Sequence, residues 1–373
     1  LGSHSVAIGP SALRTQNYAT ATDSYNTAVG SFAGYAVTTG VQNTLIGGQA
    51  GTAITTGVSN TAVGHQALDA TTDGANNVAV GHSALGANIG GSSNTAVGFE
   101  ALTANTTANE NTAFGRRAGY AITSAAGNVA IGANALDAIT DTGDNVAVGF
   151  NCLTAATAGN NTAVGSKAGL AVIGGINNVI IGTEAGDALT SGASNVIIGS
   201  GAEAVGVDAT NSNTIGKAVV GYGSGYTTVG HDSTKSYLQH GATSWGGTSD
   251  SRLKENVTTS TVGLSFVNDL RPVTYEWKTK GSIPDTLLGY VEGSTEKFND
   301  SDKVHHGFVA QEIKAVIDSH SDLGNGHGLW AANETDGLQT LAPAALIPML
   351  VKALQELSAK NDALEARLTT LEG

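Results

Sequence analysis

Short apolar stretches recur along the first 216 residues at a fixed period. The copies include NTAVG 26–30, NTLIG 43–47, NTAVG 60–64, NVAVG 77–81, NTAVG 94–98 and, at the end, SNTIG 212–216. From Gly30 to Gly216 the repeat glycines are 17 residues apart, except for a step of 16 between Gly149 and Gly165. A stretch of strand-forming residues followed by a glycine turn predicts one strand, and a second weaker one, per coil of a β-solenoid.

Alternation along the predicted strand separates the repeat residues into two faces. One face is predicted to carry a column of large apolar residues beside a column of threonine and valine, with Val29, Ile46, Val63, Val80 and Val97 in the first column. Asn, Ala and Gly face the other way, where a second backbone approaches closely. With one thin apolar column, we expect a single chain to bury little core and several identical chains to associate.

Two recurring features of the repeat have structural interpretations. The asparagines that begin with Asn26 are predicted to bond to one another or to turn backbone along the rod, and not to bind a ligand. An alanine follows most repeat glycines by three residues, and Cys152 takes that position after Gly149. The lone cysteine is therefore predicted to be a small buried residue and not a nucleophile, and one cysteine excludes an intrachain disulfide.

The last segment of the chain follows a heptad pattern. Its a positions are Ile347, Leu354, Asn361 and Leu368, and its d positions are Leu350, Leu357, Leu364 and Leu371. The pattern predicts a helix at about 343–371 that self-associates as a coiled coil, with Pro348 in its first turn. Heptads alone leave the number of strands open.

Charge divides the chain near residue 248. The first 248 residues carry 19 charged side chains and the remaining 125 carry 29, and the net charge is −14. An acidic chain without basic runs is a poor candidate for nucleic-acid binding, and the sequence has no apolar run long enough to span a membrane. The chain starts at Leu1 without a signal-peptide pattern, so we expect it to begin inside a longer protein.

The stretch TSDSRLKENV, at 248–257, lies at that division. A serine becomes a nucleophile when a neighbouring base takes its proton, and a neutral lysine serves as that base in Ser-Lys pairs. Ser249 and Lys254 are close enough in sequence to meet across a turn, with Arg252 favouring the neutral lysine. The simpler interpretation is that Ser249 or Asp250 caps a short helix beginning at Arg252.

The C-terminal segment resembles the peptidase S74 family of intramolecular chaperone domains, which end many bacteriophage tail fibres and tailspikes. The resemblance covers 249–373 and is carried by SDSRLKENV, LRPVTYEWK 270–278, HGFVAQEI 306–313 and the C-terminal helix. It implies a trimeric chaperone that assembles the upstream fibre and then cleaves itself off between Thr248 and Ser249.

The family motif assigns residues to roles in that cleavage. The resemblance implies Ser249 as nucleophile and Lys254 as base, with Ser251 as the second choice of nucleophile. Supporting residues are Asp250, Arg252, Gln311 and Glu312. The repeats also resemble the NSVAIG-type repeats of trimeric adhesin heads, where only the class of fold carries over because the repeat length differs.

We therefore predict a mainly β chain in three parts. Residues 1–217 form a trimeric parallel β-solenoid, 218–248 an intertwined β tip, and 249–373 an α+β chaperone domain ending in the coiled-coil helix. The resemblance implies a homotrimer in the virion, assembled in the host cytoplasm, that binds a host-surface glycan or outer-membrane component. Other tail proteins are expected to bind through the missing N-terminus.

The segment 221–247 is rich in turns and aromatic residues. Tyr222, Tyr226, Tyr237 and Trp245 are interpreted either as a carbohydrate-binding tip or as packing residues of a narrow trimer, and the sequence favours packing. GYGSGY has the wrong glycine spacing for a dinucleotide loop. No cofactor is predicted, and no histidine, including the pair His305 and His306, has metal-ligand spacing.

Two other functions compete with a receptor-binding fibre. A polysaccharide-degrading tailspike requires two carboxylates at a defined separation, whereas the acids of the repeats are sparse and lie mostly in turns, such as Asp69, Asp73, Asp137, Asp141 and Asp144. A bacterial trimeric adhesin requires a C-terminal membrane anchor, and a soluble coiled coil argues against it.

Overall fold

The computed structural model describes residues 2–242, 246–247, 251–287, 289–299, 303–323, 328–332 and 337–372. Two compact units divide the chain at the junction, Leu1–Ser249 and Asp250–Gly373.

The described part of the first unit is a parallel β-solenoid. A short pair, β1 (Gly2–Ser3) and β3 (Thr22–Asp23), precedes the main sheet. The parallel strands of the main sheet are β2 (Val6–Ile8), β4 (Thr27–Val29), β5 (Thr44–Ile46), β6 (Thr61–Val63), β7 (Val78–Val80), β8 (Thr95–Val97), β9 (Thr112–Phe114), β10 (Val129–Ile131), β11 (Val146–Val148), β12 (Thr162–Val164), β13 (Val179–Ile181), β14 (Val196–Ile198), β15 (Asn213–Ile215) and β16 (Tyr226–His231). Each strand pairs in register with the equivalent residues of the next coil, as the repeat predicts.

The expected second strand per coil is wrong for most of the described coils. The return path of each coil is built from turns, and the described extra pairing is limited to β1 with β3 and a bridge between Glu203 and Val220. After β16, the strands β17 (Thr234–Gln239) and β18 (Gly246–Gly247) extend the same sheet in the antiparallel sense. Intertwining of this segment with other copies stays a prediction.

The repeat glycine is required where coils stack at the end of each strand. Gly30 has a φ of +140°, and a Cβ added to it would lie 2.4 Å from the carbonyl oxygen of Gly47. Any other residue would therefore be strained and would collide with the backbone of the next coil.

The two faces of the strand are those predicted, but the interior is larger than expected. Ala28 and Leu45 at the strand centre are fully buried, whereas Ile46 on the outer face is 39% exposed. The expectation that one chain buries little core is wrong because the turns also send side chains inward, including Ile54 and Leu68. Stacking then covers each of these from the coils above and below.

The repeated asparagines form a ladder through this interior, which confirms their predicted structural role. Asn60 donates its backbone N–H to Oδ1 of Asn43 at 3.0 Å, and its Nδ2 to the carbonyl of Gly74 at 2.9 Å. The same contacts recur along the rod at Asn77, Asn94, Asn178 and Asn195. Each buried amide thus supplies the hydrogen bonds that the irregular return path lacks.

The second unit is the predicted α+β domain. Its elements are α1 (Leu264–Asp269), β19 (Val273–Tyr275), β20 (His305–Gly307), α2 (Ala310–Ser319), β21 (Trp330–Ala332), β22 (Gln339–Leu341) and α3 (Ile347–Glu372), with 3-10 helices at Ser251–Leu253, Ser321–Leu323 and Pro343–Leu346. Strands β19 and β20 form one antiparallel pair, and β21 and β22 another. The core contains Val262, Phe266, Ile313, Ile317, Leu329 and Leu346.

Helix α3 confirms the predicted C-terminal helix. The chain turns through a 3-10 helix at Pro343–Leu346 and continues as α-helix to Glu372. Pro348 is the second residue of α3, where its missing N–H leaves no hydrogen bond unmade.

Candidate functional site

The predicted cleavage site is only partly described. Thr248, Ser249 and Asp250 lie outside the described residues, and so does Trp245. The description resumes with the 3-10 helix Ser251–Leu253, and the backbone N–H of Lys254 donates to the carbonyl oxygen of Ser251 at 3.2 Å. One tight turn therefore brings the backbone of Lys254 back to Ser251.

Arg252 and Lys254 both have exposed side chains in the described chain. A lysine acts as a base only when desolvation or a neighbouring cation favours its neutral form. The predicted cleavage therefore requires groups that shield the Lys254 amine from water or favour its neutral form. In the described part of a single chain this side chain is exposed.

The two supporting residues on α2 have separate environments. Glu312 accepts a hydrogen bond from Nε of Arg271 at 2.9 Å, and Nη2 of Arg271 also donates to it. This contact with the guanidinium lowers the pKa of Glu312. The pair connects the LRP segment before β19 to the first turn of α2. The described contacts of Glu312 therefore stabilise the fold of the domain.

Gln311 instead borders an apolar cavity of about 460 Å³. Its wall includes Trp277, Ile283, Leu287 and Phe298. The buried Nε1 of Trp277 has no hydrogen-bond partner among the described residues.

Three of the four aromatic residues predicted at the tip come together. The rings of Tyr222 and Tyr237 stack with centroids 3.6 Å apart, and Tyr226 contacts each of them edge-on. Hydrogen bonding with Tyr222 is the main cause that raises the pKa of Tyr237. Tyr222 remains 44% exposed, so the cluster packs against itself and still presents an aromatic face.

A carboxyl pair that sequence reasoning missed lies near the end of the solenoid. Glu203 accepts hydrogen bonds from the backbone N–H groups of Asp187 and Ala188, at 3.0 and 3.3 Å. Burial, followed by hydrogen bonding with the Asp187 side chain, raises the pKa of Glu203 to about 8. The available signal was positional, because Glu203 stands four residues after Gly199, where the described coils otherwise have leucine, glycine or, at Val220, valine.

Cys152 is fully buried, as predicted, and burial raises the pKa of its thiol to about 12. His305 lies in β20 with its ring stacked on Tyr275 at 5.5 Å. Among the described residues, no three His, Cys, Asp or Glu side chains are grouped as metal ligands. None of the described helices combines the length and the apolar content needed to cross a membrane.

Residues 249–322 match the family model of Peptidase_S74, described as chaperone of endosialidase. Comparison with curated proteins found no match, and comparison with solved structures found none either. The family match and the β-solenoid together fit a fragment of a phage tail fibre or tailspike that carries an S74 chaperone domain.

Proposed function

On the premise that an S74 chaperone domain begins at residue 249, we propose that this chain is a receptor-binding tail-fibre fragment that cleaves itself. The chaperone domain aligns copies of the chain, promotes folding of the solenoid, and then cuts between Thr248 and Ser249. The mature product is the fibre, carried in the virion.

The position of the junction is the observation that carries this proposal. The family match begins at residue 249, and the chain divides into compact units between Ser249 and Asp250. A cut at this place separates two units that each keep their own core. Scission therefore costs the fibre none of the buried contacts described for residues 2–242.

The proposed reaction is an acyl transfer followed by hydrolysis. Neutral Lys254 takes the proton of the Ser249 hydroxyl, and Oγ attacks the carbonyl carbon of Thr248. The bond to the Ser249 nitrogen breaks, that nitrogen takes the proton, and an ester joins Thr248 to Oγ. Water then hydrolyses the ester, which leaves a carboxylate on Thr248 and a free amine on Ser249.

The exposure of Lys254 supports a role for assembly in switching on this reaction. A lysine becomes a base when burial or a neighbouring cation favours its neutral form, and burial requires groups that exclude water from the amine. We infer that neighbouring copies supply the cover, so that cleavage follows association. Such an order prevents a chain from losing its chaperone before the fibre has formed.

The cleavage test compares four forms of the full chain. The parent chain and Ser251→Ala are expected to give fragments 1–248 and 249–373 on a denaturing gel, whereas Ser249→Ala and Lys254→Ala stay intact. N-terminal sequencing of the smaller fragment is expected to begin at Ser249. If Ser251→Ala blocks the cut and Ser249→Ala does not, Ser251 is the nucleophile, and continued cleavage in both serine variants rules out this mechanism.

Receptor binding is proposed for the tyrosine cluster at the tip. An exposed aromatic face suits stacking against a sugar ring, and Tyr222 offers that face. Tyr222→Ala is expected to reduce binding of the assembled fibre to host cells, with Tyr25→Ala, which is 53% exposed far from the cluster, as the control. Unchanged cell binding by Tyr222→Ala assigns the cluster to packing alone.

The geometry of the carboxyl pair argues against the polysaccharide-degrading alternative. Glycosidase carboxyl groups stand about 5–9.5 Å apart, with the sugar between them. Glu203 instead accepts hydrogen bonds from the backbone N–H groups of Asp187 and Ala188, at 3.0 and 3.3 Å, so both of its carboxyl oxygens are already engaged. Release of oligosaccharide from host capsule would reverse this conclusion.

A further inference from the structure

The asparagine ladder changes at the last coil of the solenoid. Asn195 still accepts a hydrogen bond from the backbone N–H of Ser212 at 2.9 Å, and it donates to the carbonyl of Ala209 at 2.6 Å. In the next coil Ser212 takes the ladder position, four residues before Gly216. A serine side chain is shorter than asparagine and carries one polar atom instead of two. The side-chain contacts of the ladder therefore cannot continue unchanged beyond Ser212.

The interior also becomes polar at this end of the rod. The strand centre holds Ile197 in the preceding coil, but Thr214 and then Thr228 in the last strands, and all three are fully buried. Oγ1 of Thr228 accepts the backbone N–H of Tyr222 at 2.9 Å. Oγ1 of Thr214 and Oγ of the fully buried Ser212 have no hydrogen-bond partner among the described residues. Two hydroxyl groups are thus buried without the partners that buried polar groups require.

These two hydroxyl groups border the same space beside Gly221. A Cβ built on Gly221 would have Oγ1 of Thr214 at 2.7 Å, Oγ of Ser212 at 3.1 Å and the backbone nitrogen of Val205 at 3.3 Å as its nearest neighbours. The glycine places no side chain there, and the nearest atoms around that point are all polar. The hydroxyls do not bond to each other. The arrangement therefore suits a small polar ligand that contacts several of these groups.

The chemistry of the lining groups selects water. A hydroxyl both donates and accepts, and a backbone N–H donates. One water molecule that accepts from the N–H of Val205 and from the Ser212 hydroxyl, and donates to Oγ1 of Thr214, makes about three hydrogen bonds, which is typical of buried water. None of the three groups is charged, and an ion buried without a counter-charge costs far more free energy than a neutral ligand.

We propose that the last coil of the solenoid binds an ordered water molecule beside Gly221, held by Ser212, Thr214 and the backbone of Val205. The water takes over the role that the asparagine amide has in the other coils, because it connects the return path of one coil to the strand that follows. The site lies directly before Tyr222, so it also fixes the backbone that enters the tyrosine cluster. It is independent of the proposed cleavage.

Substitution of the hydroxyls tests the site through the sign of the stability change. All variants are made in the full chain carrying Ser249→Ala, so that every sample has the same length. Thr214→Val keeps the shape of the side chain and removes Oγ1. We expect it to lower the urea midpoint of unfolding, because the bound water loses a partner. Without bound water the same change removes an unsatisfied buried hydroxyl and raises the midpoint, which would overturn the proposal.

Ser212→Ala is expected to lower the midpoint in the same way. The variant that combines Thr214→Val with Ser212→Ala is expected to lose less than the two single changes added together, since both act through one water molecule. Thr112→Val, on the exposed outer face of a strand, is the control and is expected to leave the midpoint nearly unchanged. Additive losses from the two buried positions would contradict a shared ligand.

A crystal structure of the same full chain tests the ligand directly. Electron density for one water oxygen is expected within hydrogen-bond distance of Oγ of Ser212 and Oγ1 of Thr214, and it is expected to be lost in Thr214→Val. Density for a chloride ion, recognised by its anomalous scattering, would overturn the assignment to water. A direct hydrogen bond between the two hydroxyls, with no density beside Gly221, would overturn the site itself.

Discussion

The side-chain oxygen of Asn94 accepts a hydrogen bond from the backbone N–H of Asn111, one coil further along the solenoid, at 3.0 Å. Nδ2 of Asn94 donates to the carbonyl of Ala108 at 2.7 Å. One side chain thus satisfies two buried backbone groups that belong to different parts of the coil.

Replacing Asn94 by alanine is expected to destabilise the solenoid by about 2–4 kcal/mol. The substitution leaves the N–H of Asn111 and the carbonyl of Ala108 buried without these partners, and each unsatisfied group costs about 1–3 kcal/mol. The measurement is the urea midpoint of unfolding of the full chain. Thr95→Val, next in sequence and on the outer face, is the control and is expected to change stability by less than about 0.5 kcal/mol. Equal effects from the two variants would contradict the role given to the asparagine ladder.

Gly98→Ala is expected to be among the most destabilising single changes in the chain. Its φ is +139°, and the added Cβ would lie 2.4 Å from the carbonyl oxygen of Gly115. Both strain and collision oppose the change, and we expect a loss of about 3 kcal/mol or more. At Gly174 an added Cβ meets nothing within 4 Å. Gly174→Ala is therefore expected to unfold at nearly the same temperature as the parent chain, and a large loss at this position would contradict the steric argument.

Core size is shared between two positions of the coil. Where the fourth residue after the repeat glycine is small, as at Gly119, the seventh is large, as at Ile122, and a Cβ on Gly119 would lie 3.0 Å from Cδ1 of Ile122. In the coil that has Leu153 at the first position, Ala156 stands at the second, and both are fully buried. In these two coils one large side chain fills the space, whereas the coil with Leu136 and Ile139 buries a large side chain at both positions.

Gly119→Leu alone is expected to overfill that space and to destabilise by about 1–3 kcal/mol. Adding Ile122→Ala is expected to recover part of the loss, although Ile122→Ala alone is itself destabilising. A double-mutant cycle on thermal or urea unfolding measures this coupling, which we expect to exceed about 1 kcal/mol. Strictly additive effects would show that the two positions do not share volume.

Stability is expected to fall as the pH rises towards 8, through Glu203. The pKa of Glu203 in the folded chain is about 8, above its ordinary value of 4.5. Between these values the folded chain binds more protons than the unfolded chain, so raising the pH favours unfolding. Glu203→Gln keeps a donor towards Asp187 without a charge, and it is expected to unfold at a higher temperature than the parent at pH 8 and to flatten the slope between pH 5 and 8. An unchanged slope in Glu203→Gln would assign the pH dependence to other groups.

Much of the solenoid could be predicted from the amino-acid order because the repeat is almost strictly periodic. A fixed spacing of 17 residues places like residues in register, so the strands, the glycine turns and the bonding of the asparagines follow from local rules. The heptads likewise predicted α3, including the position of Pro348 in its first turn. In each case the sequence pattern and the structure have the same period.

The tertiary structure decided which groups are covered, and burial depends on neighbours that no single repeat contains. It filled the interior from the turns at Ile54 and Leu68, raised the pKa of Glu203 by enclosing it, and left Lys254 exposed. It also divided α3 into a packed start and an uncovered end. The type of a residue determines which reactions its side chain can perform. Its charge state and its contacts depend on how far the neighbouring residues exclude water from it.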